Sequence, residues 1–145
     1  MGKFDNVIIV SDIDGTFLDS RGKLVPRNLE AVRYLKKNGG HFTVATGREA
    51  FLIPPAIPEI ASIANAPIIG CNGAYLYDFA TDTFVREIFL DDEAAFELVC
   101  GVEKEFSDDE KVGIRISADS VEYVNRDLKC FDCFKKFDGR HVVTS

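Results

Sequence analysis

Short apolar runs on either side of one amphipathic segment dominate the first 72 residues. The run Val7–Val10 is continuous, apolar and β-branched, which predicts a strand buried on both faces. Pro26 opens a segment with apolar residues at helical spacing, and Gly39 ends it, which predicts a helix. The same patterns predict strands at Phe42–Ala45 and Pro67–Cys71 and a short helix at Glu59–Ala64. This alternation of strands and helices predicts an α/β fold with a doubly wound parallel sheet.

The pattern changes after Gly73. Two hairpins and one helix are predicted there: Ala74–Asp78 with Phe84–Phe89, then a helix at Asp92–Phe106 capped by Asp91, then Lys111–Ser117 with Val121–Asn125. Because antiparallel pairs replace the parallel pattern, we expect a domain boundary near residues 80–90, which divides the chain into residues 1–83 and 84–145.

Composition and charge narrow the functional classes. The 145 residues are 46% hydrophobic and 28% charged, an ordinary globular composition that excludes disorder, collagen and coiled coil. Residues 1–72 carry 8 basic and 7 acidic side chains, whereas residues 73–145 carry 9 and 17, and no basic stripe favours nucleic acid. Four scattered cysteines, no signal-peptide pattern and no run of roughly 18 apolar residues predict a soluble cytoplasmic protein that does not enter a membrane.

Two carboxylates follow the first predicted strand. Strand alternation would point Asp12 and Asp14 to the same side, at the carboxyl end of a parallel strand, where open α/β sheets bind their ligands. Gly15 permits a tight turn, and Thr16 can form a hydrogen bond across it. Such a pair can divide labour, with one carboxylate as nucleophile and the other as proton carrier.

The Asp-x-Asp pair also admits two other interpretations. A solvated turn is the ordinary structural one, but the fuller sequence D-I-D-G-T directly after an apolar strand argues against it. A calcium-binding loop would need Gly where Phe17 stands and Glu where Lys23 stands, so it is excluded. Elsewhere, Cys130 and Cys133 form a C-x-x-C without a second pair, which favours two half-buried thiols over a zinc or redox site.

Polar turns also end the second and third predicted strands. Thr46-Gly47-Arg48 offers a hydroxyl and a backbone N–H, which suit a phosphoryl oxygen. Asn72 ends the third strand and would point into the same crevice. Each is an ordinary turn by itself, but one strand–helix–strand unit after D-I-D-G-T they predict a phosphate site.

These motifs together resemble a known family. D-I-D-G-T, V-A-T-G-R and A-P-I-I-G-C-N-G-A-Y-L-Y-D are similar to the N-terminal half of haloacid dehalogenase-like hydrolases. The chain is most similar to the Cof-type sugar-phosphate phosphatases, which carry a large α/β cap after the second motif, and the resemblance covers roughly residues 5–125. It implies that residues 1–83 are half of a Rossmann-like core and that residues 84–145 are part of an α+β cap.

The resemblance implies a role for each turn. Asp12 would attack phosphorus to form an aspartyl-phosphate, while Asp14 would protonate the leaving alcohol and then activate water. Magnesium would bind the Asp12 carboxylate and the Asp14 main-chain carbonyl, and a cation there would offset the repulsion between two anions. The turns after the second and third strands would hold a small phosphorylated metabolite, such as a sugar phosphate, through Thr46, Gly47, Arg48 and Asn72.

One part of the family's pattern is missing from the sequence. The family has a Lys in a third motif and a G-D-x-x-x-D motif beyond the cap, whereas Lys129, Lys135 and Lys136 lie in a polar helix-like segment. We therefore expect the front half of such an enzyme, with an inactive phosphate- or magnesium-binding module, or a structural half completed by another chain, as alternatives. Without a neighbour on its other side, Val7–Val10 becomes an apolar edge, which predicts a homodimer or a complementing C-terminal fragment.

Overall fold

The computed structural model describes residues 2–118, 121–126, 128–129 and 141–143. The chain forms two compact units, residues 1–88 and residues 89–145, termed the first unit and the second unit. The division falls five residues beyond residue 83, after the strand Thr83–Glu87. That the two units are a half-core and a partial cap stays a prediction. The cysteines Cys130 and Cys133, and the lysines Lys135 and Lys136, lie outside the described residues.

The first unit alternates strands with helices. Its elements are β1 (Ile8–Ser11), α1 (Pro26–Lys37), β2 (His41–Val44), α2 (Ile53–Ala56), α3 (Pro58–Ile63), β3 (Ile68–Gly70), β4 (Tyr75–Asp78) and β5 (Thr83–Glu87). β1 and β2 are parallel, with Ile9 opposite Phe42, and a parallel bridge joins Ala45, which follows β2, to Ile69 of β3. β4 then pairs with β3 on one side and with β5 on the other, and both pairs are antiparallel. The predicted α/β class, with its parallel first strands, is confirmed.

Helix α1 covers part of this sheet. Pro26 occupies its first turn, where a missing N–H costs nothing, and Gly39 follows its end with a φ of 87° that favours glycine. Val32 and Leu35 are buried and belong to the main apolar core. The core also includes the buried side chains of Phe42, Val44, Ile53, Ile60 and Ile68. Each fully buried side chain of this size contributes roughly 1.5–3 kcal/mol to folding.

The prediction that the first strand is buried on both faces is wrong. The side chains of Val7–Val10 are between 39% and 55% exposed, whereas those of Phe42 and Val44 in β2 are 2% and 0% exposed. Among the described residues, β1 is hydrogen-bonded to β2 and has no strand on its other side. An apolar strand is buried only when other segments cover it, and β2 and α1 leave β1 partly uncovered.

The second unit contains a helix and three short strands in its described part. They are α4 (Asp92–Glu105), β6 (Arg115–Ala118), β7 (Val121–Val124) and β8 (His141–Val143). The Asp91 side chain caps α4 by accepting hydrogen bonds from two backbone N–H groups, as predicted. β6 and β7 form the predicted hairpin, while β8, parallel to β7, was not predicted. None of the helices formed by the described residues is long and apolar enough to cross a membrane.

Candidate functional site

A tight turn presents both carboxylates at the carboxyl end of β1. Ile13 and Phe17 are buried in the core, whereas Asp12 and Asp14, on either side of Ile13, are exposed. Gly15 has a φ of 76°, a conformation that costs glycine little. The turn closes when the Phe17 N–H donates to the Asp12 carbonyl oxygen at 3.2 Å. Two anchored apolar side chains thus hold the two acids in place.

Thr16 supports the first of these acids. Its hydroxyl lies 3.3 Å from one carboxylate oxygen of Asp12 and donates to it. The Asp12 carboxylate itself is exposed. One oxygen is therefore engaged by the turn, and the exposed carboxylate can meet a reactant from solvent.

The turn after β2 lies beside this pair. Thr46 is buried, its N–H donates to the Ile69 carbonyl oxygen at 2.9 Å, and its hydroxyl accepts the Arg48 N–H at 3.2 Å. These two bonds fix the backbone on both sides of Gly47. The turn therefore leads the Arg48 side chain out of the sheet edge in a defined direction.

Arg48 and Asp14 form a bidentate ion pair that joins the first two turns. Arg48 Nε donates to Asp14 Oδ2 at 2.8 Å, and Arg48 Nη2 donates to Asp14 Oδ1 at 2.6 Å. The Arg48 hydrogen bonds lower the pKa of the Asp14 carboxyl below its ordinary value, and the same pairing raises the pKa of Arg48. The Asp14 side chain is 55% exposed and the Arg48 side chain 33%, so water screens the interaction between them.

Asn72 belongs to the same cluster of turns. Its N–H donates to the Thr46 carbonyl oxygen at 3.0 Å, and its φ of 56° lies in the left-handed region. A Cβ placed on Gly47 would come within 3.1 Å of Asn72 Oδ1, so glycine permits this close approach. The structure thus brings together all the predicted site positions: Asp12, Asp14, Thr46, Gly47, Arg48 and Asn72.

Sequence reasoning missed a layer of residues behind the site. Glu49 accepts a hydrogen bond from the Cys71 thiol at 2.7 Å, and the Tyr75 hydroxyl accepts one from the Ala50 N–H. Glu49 and Cys71 flank the two predicted turns, which is the one signal that could have drawn attention to them. Tyr75 carried no such signal, because its reach to Ala50 spans 25 positions of the chain.

The oxygen-rich turns partly fit a magnesium ion. Carboxylate and carbonyl oxygens are the ligands that magnesium prefers, and Asp12 and Asp14 offer both kinds. Within the described ranges, no group of three His, Cys, Asp or Glu side chains could hold a metal ion. Arg48 also engages both carboxylate oxygens of Asp14. The residues on this turn could therefore supply part of a magnesium coordination shell, but not a closed protein cage.

Known proteins are similar to this chain in sequence or in fold. Pyridoxal phosphate phosphatase YbhA of Escherichia coli (strain K12) is 36% identical over 79 residues, which are 54% of this chain and 28% of that enzyme. A haloacid dehalogenase-like hydrolase from Bacteroides thetaiotaomicron superposes with a TM-score of 0.72 at 18% identity, covering 99% of this chain and 52% of that one. The sugar phosphatase BT4131, of haloacid dehalogenase subclass IIB, superposes with a TM-score of 0.68 at 20% identity, covering 95% and 51%.

These likenesses differ in what they show. At 18% and 20% identity the solved structures share the fold, and this chain spans about half of their length. The family described as haloacid dehalogenase-like hydrolase matches residues 9–141, a range that contains every predicted site residue. The motifs at the three strand ends and this match lead to one conclusion: the chain belongs to the haloacid dehalogenase-like hydrolases.

Proposed function

We propose that this chain carries the nucleophile and the acid/base of a phosphomonoester hydrolase that acts on small phosphorylated metabolites. The observation that carries the proposal is the Arg48–Asp14 pair, with bonds of 2.8 and 2.6 Å. A guanidinium, which binds phosphate oxygens well, is thereby paired with the Asp14 carboxylate on the turn that also carries Asp12. Attack on phosphorus and binding of its oxygens can then take place at the same point.

Asp12 is the nucleophile in this proposal. One of its carboxylate oxygens attacks phosphorus, the bond from phosphorus to the alcohol oxygen breaks, and an aspartyl-phosphate forms. The departing alcohol oxygen takes a proton from Asp14. Asp14, now ionised, then accepts a proton from a water molecule as the water oxygen attacks phosphorus. This second displacement releases inorganic phosphate and restores the Asp12 carboxylate.

In this proposal Arg48 binds two anions in turn, first the Asp14 carboxylate and then the substrate phosphate. While it binds Asp14, it lowers the pKa of that carboxyl and keeps it ionised, and an ionised carboxylate cannot protonate a leaving group. A phosphate dianion competes for the same guanidinium. When Arg48 transfers to the phosphate, Asp14 loses the hydrogen bonds that lower its pKa, so it takes up a proton more readily than it does in the pair. Thr46 and Asn72 complete the phosphate site.

Magnesium is the cofactor of this proposal. The Asp12 carboxylate and the Asp14 main-chain carbonyl would hold it, because both are hard oxygen donors on one turn. When bound, it supplies positive charge that offsets the repulsion between Asp12 and an anionic phosphate. Arg48 supplies part of the same compensation from the protein.

The substrate class in this proposal rests on the relatives. YbhA is named a pyridoxal phosphate phosphatase, and BT4131 is named a sugar phosphatase. A sugar phosphate or a similar small phosphate ester is therefore the substrate class we propose.

Cys71 and Cys100 are thiols rather than disulfides, which suits a reducing, cytoplasmic location.

The exposed edge of β1 favours a second candidate function. In this alternative the chain is a phosphate- or magnesium-binding half, and another chain completes it along the partly exposed residues Val7–Val10. The occupant is a second copy of the chain or a complementing C-terminal fragment. Hydrolysis by the chain alone separates this candidate from the first.

Hydrolysis of p-nitrophenyl phosphate in the presence of magnesium tests the proposed function. Asp12→Asn removes the nucleophile, so we expect the rate to fall by about 10³-fold or more. Asp19→Asn is the matched control, because it removes a nearby charge but keeps the oxygen that accepts the N–H groups of Arg21 and Lys23. We expect its rate to be unchanged. A chain without turnover whose melting temperature still rises with magnesium would contradict the hydrolase and support the binding half.

A further inference from the structure

Tyr75, at the start of β4, lies directly behind the turn that carries Arg48. Its side chain is buried, and its hydroxyl accepts a hydrogen bond from the Ala50 N–H. The same hydroxyl donates to the Arg48 carbonyl oxygen at 3.4 Å. One phenol group thus contacts the backbone on both sides of Glu49.

The ring of Tyr75 is itself held by the sheet. A Cβ placed on Gly70 would lie 2.2 Å from the ring atoms, so glycine at this position makes room for the ring. On the other side, Phe84 contacts the ring edge-to-face, with centroids 5.2 Å apart. Because β3 and β5 fix the ring, they also fix the place of its hydroxyl.

Two other hydrogen bonds also join the turn after β3 to the turn that carries Arg48, but they contact residues that precede Ala50. The Cys71 N–H donates to the Arg48 carbonyl oxygen at 3.3 Å, and the Cys71 thiol donates to Glu49 at 2.7 Å. Neither reaches Ala50, at which the turn enters the short helix Ala50–Leu52. Burial raises the pKa of Tyr75 well above its ordinary value, so its hydroxyl stays protonated and able to donate.

We propose that Tyr75 is a positioning residue for Arg48: its hydroxyl holds the backbone of residues 48–50 so that the guanidinium reaches Asp14 and the substrate phosphate. That Arg48 reaches the substrate phosphate rests on the function proposed for Asp12 and Asp14. That Tyr75 helps Arg48 to reach the Asp14 carboxylate rests on the hydrogen bonds alone.

Tyr75→Phe tests the proposal because it removes the hydroxyl and keeps the ring. With p-nitrophenyl phosphate and magnesium, we expect KM to rise about 3- to 10-fold and kcat to change less, since the variant weakens a group that binds phosphate. In an Arg48→Ala background, Tyr75→Phe should change KM by less than about 2-fold, because its effect acts through Arg48. An equal rise of KM in both backgrounds overturns the proposal.

Tyr77→Phe is the matched control on the same strand. The Tyr77 hydroxyl donates to Asp82 at the hairpin turn, and no site residue depends on that bond. We expect KM to be unchanged in this variant. A KM that rises as much in Tyr77→Phe as in Tyr75→Phe means a general loosening of the hairpin and overturns a specific role for Tyr75.

Proton exchange at Arg48 Nε, followed by nitrogen-15 NMR without substrate, gives a readout independent of activity. In the wild-type chain this N–H donates to Asp14, so we expect its exchange to be slower than that of an unpaired guanidinium, and we expect Tyr75→Phe to make it at least about 3-fold faster. Unchanged exchange overturns the positioning role, whereas a wild-type chain without turnover overturns only the proposed hydrolase.

If the Tyr75→Phe variant does not fold, a measurement on the wild-type chain still tests the proposal. The proposal requires that the Ala50 amide be protected from exchange by the Tyr75 hydroxyl. Protection of this amide supports the proposal, and rapid exchange overturns it.

Discussion

β1 and β3 are both short apolar strands of the same unit, yet their side chains meet opposite surroundings. Ile9 in β1 is 47% exposed, whereas Ile68 in β3 is 0% exposed. β3 has β4 on one side and a parallel bridge to the residue after β2 on the other, while β1 has only β2 among the described residues. Ile60 of α3 shares the core with Ile68. The comparison teaches that neighbours, rather than apolar character, bury a strand.

The largest expected effect is on stability. Ile68→Ala should lower the free energy of unfolding by about 2–5 kcal/mol, because it opens a cavity in a filled core. Ile9→Ala, the same change on an exposed strand, should cost less than about 1 kcal/mol. Urea denaturation of both variants measures the difference. Equal losses would mean that another chain covers β1 in solution, and the contrast between the strands would disappear.

A smaller effect is expected on association. If a second copy or a C-terminal fragment pairs with β1, Val10→Lys should weaken that association by about 10-fold or more, since a charged side chain on an edge strand opposes pairing. Val85→Lys is the matched control, because Val85 is 57% exposed on β5, the edge strand of the β3–β4–β5 sheet. Light scattering over a range of concentrations measures both. Disruption by Val85→Lys instead would move the interface to β5.

The smallest effect is expected at the ends of the strands, where the Arg48–Asp14 pair is exposed to water. The folded-state pKa of Asp14 lies below its ordinary value of 3.8, so its ionised form stabilises the fold above that pH. This contribution is lost as the pH falls through the lowered pKa. Arg48→Ala should therefore cost about 0.5 kcal/mol at pH near 6 and progressively less as the pH falls below 3.8.

Urea denaturation across this range of pH measures the contribution of the pair. Arg86→Ala, which removes an exposed cation from β5, is the control for net charge and should show no such pH dependence. An Arg48→Ala cost that is constant with pH would show that the guanidinium stabilises the fold through packing rather than through Asp14.

Much of the local structure could be predicted from the sequence. Proline at the start of α1, glycine after its end and the Asp91 cap of α4 act within a few residues, so the helices lie where their patterns place them. Helix α2 was missed, because two of its four residues are proline, which is tolerated only in the first turn of a helix. Strand β8 was missed because its pairing with β7 is not local.

By itself the sequence determined which residues stand near strand ends, because short-range apolar patterns locate β1, β2 and β3. The residues that follow these strands within four positions are Asp12, Asp14, Thr46, Arg48 and Asn72. Only the tertiary structure decided that Arg48 pairs with Asp14, that the Tyr75 hydroxyl contacts the Arg48 backbone and that β1 is exposed. The physical reason is range. Helix caps, turns and strand propensity involve neighbours in the chain, whereas burial and long-range hydrogen bonds depend on which distant segments fill the space beside a residue.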